Sequence, residues 1–315
     1  MKIVVLEPLG IAQEALEGIL SSRVNEKAEI VYYPDRKEDV ETLVARSRDA
    51  QIVVLSNLPY PEEVIEQCPK LKAIMVAFTG VDHVDIECCQ KHHITVCNCS
   101  GYSDAAVADL VFGMAIGFYR NLAACEKRAR EHGTKDGLVG FELEGKTFGV
   151  IGTGAIGTRV AMIANAFGAK VLAYSRTIKP LPNVTYVTLE ELLIKSDIVS
   201  IHVPSTKDTR YMIGEQELNL MKKEALLINT ARGAIVDETA LYDALVKGKI
   251  AGACIDVLEQ EPPFDEDRVI LHAPNLMITP HIGFATIQAM EKRAHIVAEN
   301  IKAYMEGTPI HIICG

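Results

Sequence analysis

Residues 147–175 read TFGVIGTGAIGTRVAMIANAFGAKVLAYS, and this stretch limits the fold more than any other. An apolar run suited to a buried strand leads into Gly152, Gly154 and Gly157, spaced G-x-G-x-x-G. A helical pattern then ends at Gly168, and a second apolar run follows. Strand, glycine turn, helix and strand in that order describe a βαβ unit built around an anion. Gly152 permits the tight turn, Gly154 lets the backbone approach a pyrophosphate, and Gly157 lets the helix lie close to the sheet. The N–H groups of Ala155 and Ile156 would then face the anion at the positive end of the helix. A turn that merely favours glycine explains the three glycines but not the order of elements around them.

The end of the second strand carries the next signal. An NAD site ordinarily places Asp or Glu there to accept hydrogen bonds from the adenosine ribose. Here Ser175, 18 positions after Gly157, is followed by Arg176 and Thr177. A carboxylate would repel a 2′-phosphate, whereas two hydroxyls and a planar guanidinium suit one. The expectation is NADPH, with NAD as the alternative if Arg176 is simply a solvated side chain.

The chain has 315 residues, more than one core of ordinary size needs, and 49% of them are apolar. Two globular domains are expected. In the first hundred residues the runs KIVVLE, EIVYYP, IVVLS, AIMVAF and ITVCNC alternate with helical patterns. After residue 146 the runs TFGVIG, KVLAYS, IVSIHVP, ALLINTA, AGACIDV and LMITPH do the same. Such alternation predicts two doubly wound α/β domains with parallel sheets. Between the two series, a long helix is expected from an N-cap at Ser103 to Gly133; its apolar positions fill more than one stripe, which suits a core or a partner subunit.

Charge and cysteine content exclude other classes. A formal net charge of −10, with no long basic run, disfavours nucleic acid and anionic membranes as partners. Met1 leads directly into a strand pattern, and the apolar stretch Ala106–Tyr119 is interrupted by Asp109, so a cytoplasmic protein without a membrane span is expected. Cys88, Cys89, His92, His93, Cys97 and Cys99 crowd one segment but lack paired C-x-x-C spacing. They read as buried reduced thiols, and no metal site is expected.

Three further stretches, LLINTARGAIVDETALYDAL, AGACIDVLEQEPP and NLMITPHIGFAT, follow in a fixed order. With them, and with GVDHVD earlier, the whole chain resembles the D-isomer-specific 2-hydroxyacid dehydrogenases, a family that includes glyoxylate and hydroxypyruvate reductases. The resemblance implies that Arg232 binds substrate and that Glu261 pairs with His281, which exchanges the proton. It implies further that Thr79 and Gly80 cradle the substrate carboxylate through their N–H groups. Thr230, Ala231 and Asp256 would touch the nicotinamide side of the cofactor, and Val203 and Pro204 the adenine-ribose side. His202 reads as a structural residue.

By the same resemblance, a Rossmann-type cofactor domain (101–283) is inserted in a flavodoxin-like substrate domain (1–100 and 284–315), with hinges near Ser100 and Gly283. Dimers through the cofactor domain, with the long helix in contact, are implied as well.

The chemistry accounts for these residue types independently. Reducing a 2-keto acid requires a proton donor at the developing alkoxide, an anchor for the carboxylate, and a nicotinamide held against the carbonyl. Imidazole titrates near neutrality, and a neighbouring carboxylate favours its protonated form. Arg232 has the planar fork to span carboxylate and carbonyl oxygens.

Alternatives within the fold are an NAD-binding corepressor and formate dehydrogenase, which uses Gln where Glu261 stands. A methyltransferase with a similar glycine turn would not explain Arg232, Glu261 and His281. Phosphoglycerate dehydrogenases carry arginines for the substrate phosphate at positions matching Leu55 and Val76. A small unphosphorylated keto acid is therefore expected, with Ser56–Glu63 helping to set its size.

Overall fold

The computed structural model describes residues 1–24, 28–260 and 268–315. The chain divides into two compact units, Met1–Ser103 with Ala285–Gly315, and Asp104–Phe284.

In the first unit β1 (Lys2–Val5), α1 (Gln13–Ser21), β2 (Glu29–Tyr32), α2 (Val40–Ser47), β3 (Ile52–Leu55), α3 (Glu62–Ile65), β4 (Ala73–Val76), α4 (Ile86–Lys91) and β5 (Thr95–Cys97) alternate along the chain. Every residue of β3 and β4 is buried, as continuous apolar runs covered on both faces require. Helices α2 and α4 begin where short acidic side chains satisfy free backbone donors. Asp39 accepts from the Thr42 N–H at 2.8 Å, and Asp85 from that of Cys88 at 2.8 Å.

The second unit contains α5 (Asp104–Tyr119), α6 (Leu122–Arg130), β6 (Thr147–Ile151), α7 (Ala155–Ala166), β7 (Lys170–Tyr174), β8 (Val184–Tyr186), α8 (Leu189–Lys195), β9 (Ile198–Ile201), α9 (Glu215–Leu220), β10 (Leu226–Asn229), α10 (Glu238–Val246), β11 (Gly252–Ile255) and β12 (Leu276–Ile278). The chain then returns to the first unit through α11 (Ile287–Met305) and β13 (Ile312–Cys314).

Strand order in the first unit is β13-β5-β4-β3-β1-β2, parallel except where β13 runs antiparallel to β5. In the second it is β12-β11-β10-β9-β6-β7-β8, parallel throughout. The first order is flavodoxin-like, and the second is the Rossmann order with a seventh strand added. In the second sheet the order reverses between β6 and β9, which opens a crevice at their C-terminal ends.

Alternate strand residues feed opposite cores. Leu226 and Ile228 of β10 join Val111, Phe112 and Val160 from α5 and α7. Leu227 joins Leu192, Leu218 and Leu241 from α8, α9 and α10.

The long helix expected from Ser103 to Gly133 is two helices. Asn121 adopts a left-handed conformation (φ 51°), and α5 and α6 meet at 58°. Asparagine tolerates that region because its short amide can bond locally, and here its Nδ2 donates to the Leu138 carbonyl at 3.3 Å. No single helix among the described residues is long and apolar enough to cross a membrane.

Seven of the eight cysteines are buried, and burial pushes the thiols of Cys89 and Cys99 up to about 12. They behave as small protonated hydrophobes.

Candidate active site

The glycine turn after β6 explains its own composition. Gly152 has φ +94°, and a Cβ there would lie 2.6 Å from the His202 carbonyl oxygen. A Cβ on Gly157 would lie 1.8 Å from the Gly152 carbonyl oxygen, so the helix reaches the turn only with hydrogen at that position. Around the Cβ direction of Gly154, by contrast, there is no atom within 4 Å. The turn is thus closed on the sheet side and open on the other. There the first-turn N–H groups of α7, those of Ala155 and Ile156 among them, have no partner within the helix.

A cavity of about 520 Å³ lies against this turn. Gly152 and Gly154 border it with Ser175, Arg176, Thr177 and Lys179 after β7, and His202, Val203 and Pro204 after β9. The Ser175 Oγ accepts from the Thr153 N–H at 3.4 Å, which ties the end of β7 to the turn and leaves the hydroxyl hydrogen available. Arg176 and Thr177 are exposed. Among the described lining residues the one carboxylate is Asp208, on the loop after β9 rather than at the end of β7.

His202 also lines this cavity, with its ring nitrogen Nε2 2.8 Å from the Ser200 Oγ. Burial pulls its pKa down to about 3, so the imidazole beside the turn is neutral.

The ends of β10, β11 and β12 build a second constellation. Asn229, 1% exposed, shapes the turn after β10: its Nδ2 donates to the Arg232 carbonyl at 2.9 Å, and its Oδ1 accepts from the Ala231 N–H at 3.1 Å. The Arg232 Nη1 donates to the Ala231 carbonyl at 2.7 Å. The backbone of Ala231 is therefore engaged within the turn. Thr230 keeps a buried hydroxyl with no hydrogen-bond partner among the described residues.

Gly233 brings this turn against the chain after β11. A Cβ on Gly233 would lie 1.9 Å from the Leu258 carbonyl carbon and 2.2 Å from the Glu259 nitrogen. Glu261, the expected partner of His281, lies outside the described residues.

His281 follows β12 with φ 55°. Its N–H donates to the Asp256 carbonyl at 2.8 Å, and its ring meets Phe284 edge-on at 5.4 Å. The carboxylate of Asp256, the acid expected on the nicotinamide side, is engaged by this segment. Its Oδ1 accepts from the Thr279 hydroxyl at 2.5 Å and the Ile282 N–H at 2.8 Å, and its Oδ2 accepts from the Gly283 N–H at 2.7 Å. Asp256 is 1% exposed, and the physical reason for its position is that three donors of one tight turn need an acceptor.

In the first unit Thr79 and Gly80 follow β4. Neither of their N–H groups bonds to protein among the described residues, while the Thr79 carbonyl accepts from the Asn98 Nδ2 at 2.7 Å.

Sequence reading missed Asn229, Gly233 and Lys179. The first two stand inside the NTARG motif, and Lys179 is a cation three positions after Arg176, which is the signal that points to it.

A dinucleotide fits these residues on three counts: the glycine cradle, the open side at Gly154, and the unpartnered Thr230 hydroxyl. The comparisons agree. The family model for the D-isomer specific 2-hydroxyacid dehydrogenase NAD binding domain matches residues 112–283. A glyoxylate reductase of Thermococcus litoralis is 41% identical over 83% of this chain and 82% of its own. A glycerate dehydrogenase of Methylorubrum extorquens is 38% identical over 87% of this chain and 88% of its own. Among solved structures, an acyclic imino acid reductase in complex with NADPH and D-Arg superposes with a TM-score of 0.91 at 31% identity, covering 99% of this chain and all of that one. The chain belongs to the D-isomer-specific 2-hydroxyacid dehydrogenases and is an NAD(P)-dependent enzyme of that family.

Proposed function

We propose that this enzyme reduces a small unphosphorylated 2-keto acid, of the glyoxylate or hydroxypyruvate kind, to the D-2-hydroxy acid with NADPH, and with NADH as the less favoured cofactor. The observation that carries this reading is the convergence of three strand ends. Gly233 seats the Arg232 turn on Leu258–Glu259, and Asp256 at the end of β11 holds the His281 segment.

Gly152, Gly154, Ala155, Ile156 and Gly157 hold the pyrophosphate; Val203 and Pro204 flank the adenosine ribose, and Thr230 and Ala231 the nicotinamide. When bound, the reduced nicotinamide supplies a hydride to the keto carbon. Arg232 anchors the carboxylate and steadies charge on the carbonyl oxygen, and lysine lacks the fork to replace it. His281 gives its proton to the developing alkoxide, and Glu261 holds the imidazole oriented and protonated for that step. Thr79 and Gly80 donate their N–H groups to the substrate carboxylate.

The choice of NADPH rests on Ser175, Arg176 and Thr177, exposed or half-buried around one cavity without a carboxylate at the end of β7. Charged hydrogen bonds of about 1.5–3 kcal/mol favour the 2′-phosphate by about one to two powers of ten. The glyoxylate reductase and the glycerate dehydrogenase named above support the substrate class. Leu55 and Val76 are wholly buried strand residues, which argues against a phosphate subsite at those positions. Homodimerisation through the second unit is part of the same proposal, favoured by the exposed apolar side chains of Leu122, Val139 and Phe141 next to α5 and α6.

Initial rates for a panel of 2-keto acids with NADPH and NADH test this reading. Glyoxylate or hydroxypyruvate with NADPH should head the panel. A preference for NADH of tenfold or more would overturn the cofactor assignment and leave the catalytic residues standing.

A further inference from the structure

The returning C-terminal segment of the first unit places two buried polar side chains behind the Thr79–Gly80 loop. Asn300 on α11 is wholly buried, and Asn98, just after β5, is 7% exposed. The Asn300 Nδ2 donates to the Asn98 carbonyl at 2.8 Å, and the Asn98 Nδ2 donates to the Thr79 carbonyl at 2.7 Å. At the other end His311 lies with its Nδ1 2.8 Å from the Asn300 Oδ1. Since the Asn300 Nδ2 is already donating, its Oδ1 accepts, and Nδ1 of His311 carries the hydrogen.

We propose that Asn300, acting through Asn98, is a positioning residue that aims the Gly80 N–H at the substrate carboxylate. This rests on the assignment of Thr79 and Gly80 to the substrate. The Thr79 carbonyl and the Gly80 N–H belong to one planar trans peptide and point in opposite directions. Fixing the carbonyl therefore fixes the N–H, and an accepted hydrogen bond also polarises the peptide toward donation.

Every polar group of Asn98 is engaged in this arrangement. Its N–H donates to the His311 carbonyl at 3.0 Å and its Oδ1 accepts from the Ser100 N–H at 3.2 Å, besides the two bonds above. Two of these four bonds come from residues more than 200 positions along the chain, because β13 pairs with β5 through Ile312 and Cys97. His311 is held at φ 52°, a conformation that a non-glycine residue keeps only where its surroundings enforce it. A side chain needed only to fill the core beside β5 would not require a donor aimed at Thr79. Leucine has the same branched skeleton of heavy atoms as asparagine, with bulkier tips and no polar atoms to satisfy.

The test compares Asn300→Leu with Gly80→Pro, which removes the N–H itself, using glyoxylate and NADPH. Substrate contacts made equally in ground and transition states appear in KM. Asn300→Leu should raise the KM for glyoxylate about tenfold, the effect of weakening one charged hydrogen bond, with kcat and the KM for NADPH unchanged.

Should Asn300→Leu fail to fold, His311→Gly removes the ring from the exposed end and relieves the backbone. It should raise the same KM about threefold without lowering Tm. If Gly80→Pro raises the KM while both other variants leave it at the wild-type value, the positioning role is refuted. If Gly80→Pro itself has no effect, the assignment of the loop to substrate fails, and the positioning role fails with it.

Discussion

Gly233→Ala is the substitution through which the packed strand ends can be tested most sharply. The added Cβ would lie 1.9 Å from the Leu258 carbonyl carbon and 2.2 Å from both its oxygen and the Glu259 nitrogen, all backbone atoms that cannot rotate away. Ordinary contact for a Cβ begins at about 3.4 Å, so the Arg232 turn and the Leu258–Glu259 segment must part by about 1.5 Å. Overpacking of this kind costs about 1–3 kcal/mol, which a folded domain of this size survives.

The catalytic cost is larger. A displacement of about 1 Å at a positioned group lowers rates by about 10²-fold, and here it separates Arg232 from the segment that leads to Glu261. The glycine turn after β6 lies elsewhere in the unit, so cofactor binding should persist, weakened only through Thr230 and Ala231 at its nicotinamide end. Steady-state kcat/KM for glyoxylate, with NADPH affinity read from nicotinamide fluorescence, distinguishes the two effects. The expected result is a loss of about 10² or more in kcat/KM with a much smaller change in NADPH affinity. Wild-type kcat/KM in a folded Gly233→Ala enzyme would refute the idea that this contact assembles the site.

Three further outcomes are expected. Arg176→Ala should weaken NADPH by about one to two powers of ten and leave NADH nearly unchanged, as measured by the KM of each cofactor. Gly157→Ala, whose Cβ would meet the Gly152 carbonyl at 1.8 Å, should abolish saturable binding of both cofactors in the same fluorescence titration. His202 is held neutral by burial, with a pKa of about 3 against an ordinary 6.5. Below pH 6.5 the unfolded chain binds a proton that the folded chain refuses. Its contribution is thus complete above that pH and is lost toward pH 3, at up to about 1.4 kcal/mol per pH unit. Urea unfolding of wild type and His202→Asn across that range should show a shallower acid loss in the variant; parallel curves would contradict the assignment.

What the sequence revealed follows from what was buried. Strands β3 and β4 are covered on both faces and therefore appear as unbroken apolar runs, and the glycine turn announces itself through Gly152 and Gly157, where the backbone permits nothing larger. The edge strand β8 and the returning strand β13 were not legible, since both are only partly buried and neither carries a long apolar run.

The break at Asn121 lacked the usual Gly or Pro. Asp256 was legible as a site residue, but an acid at a strand end reads alike whether it faces a cofactor or the next turn. The bonds from Thr279, Ile282 and Gly283 that hold it to that turn have no counterpart in the sequence pattern. The link from Asn300 through Asn98 to Thr79 spans more than 200 residues and has no sequence signature at all.

The most direct test of the central claim is the turnover of His281→Ala with glyoxylate and NADPH. Loss of the proton donor should lower kcat by about 10²- to 10⁴-fold, with NADPH affinity unchanged. Turnover near the wild-type value would contradict the assignment of His281 as the proton donor and, with it, the account of how the ends of β10, β11 and β12 perform the reduction.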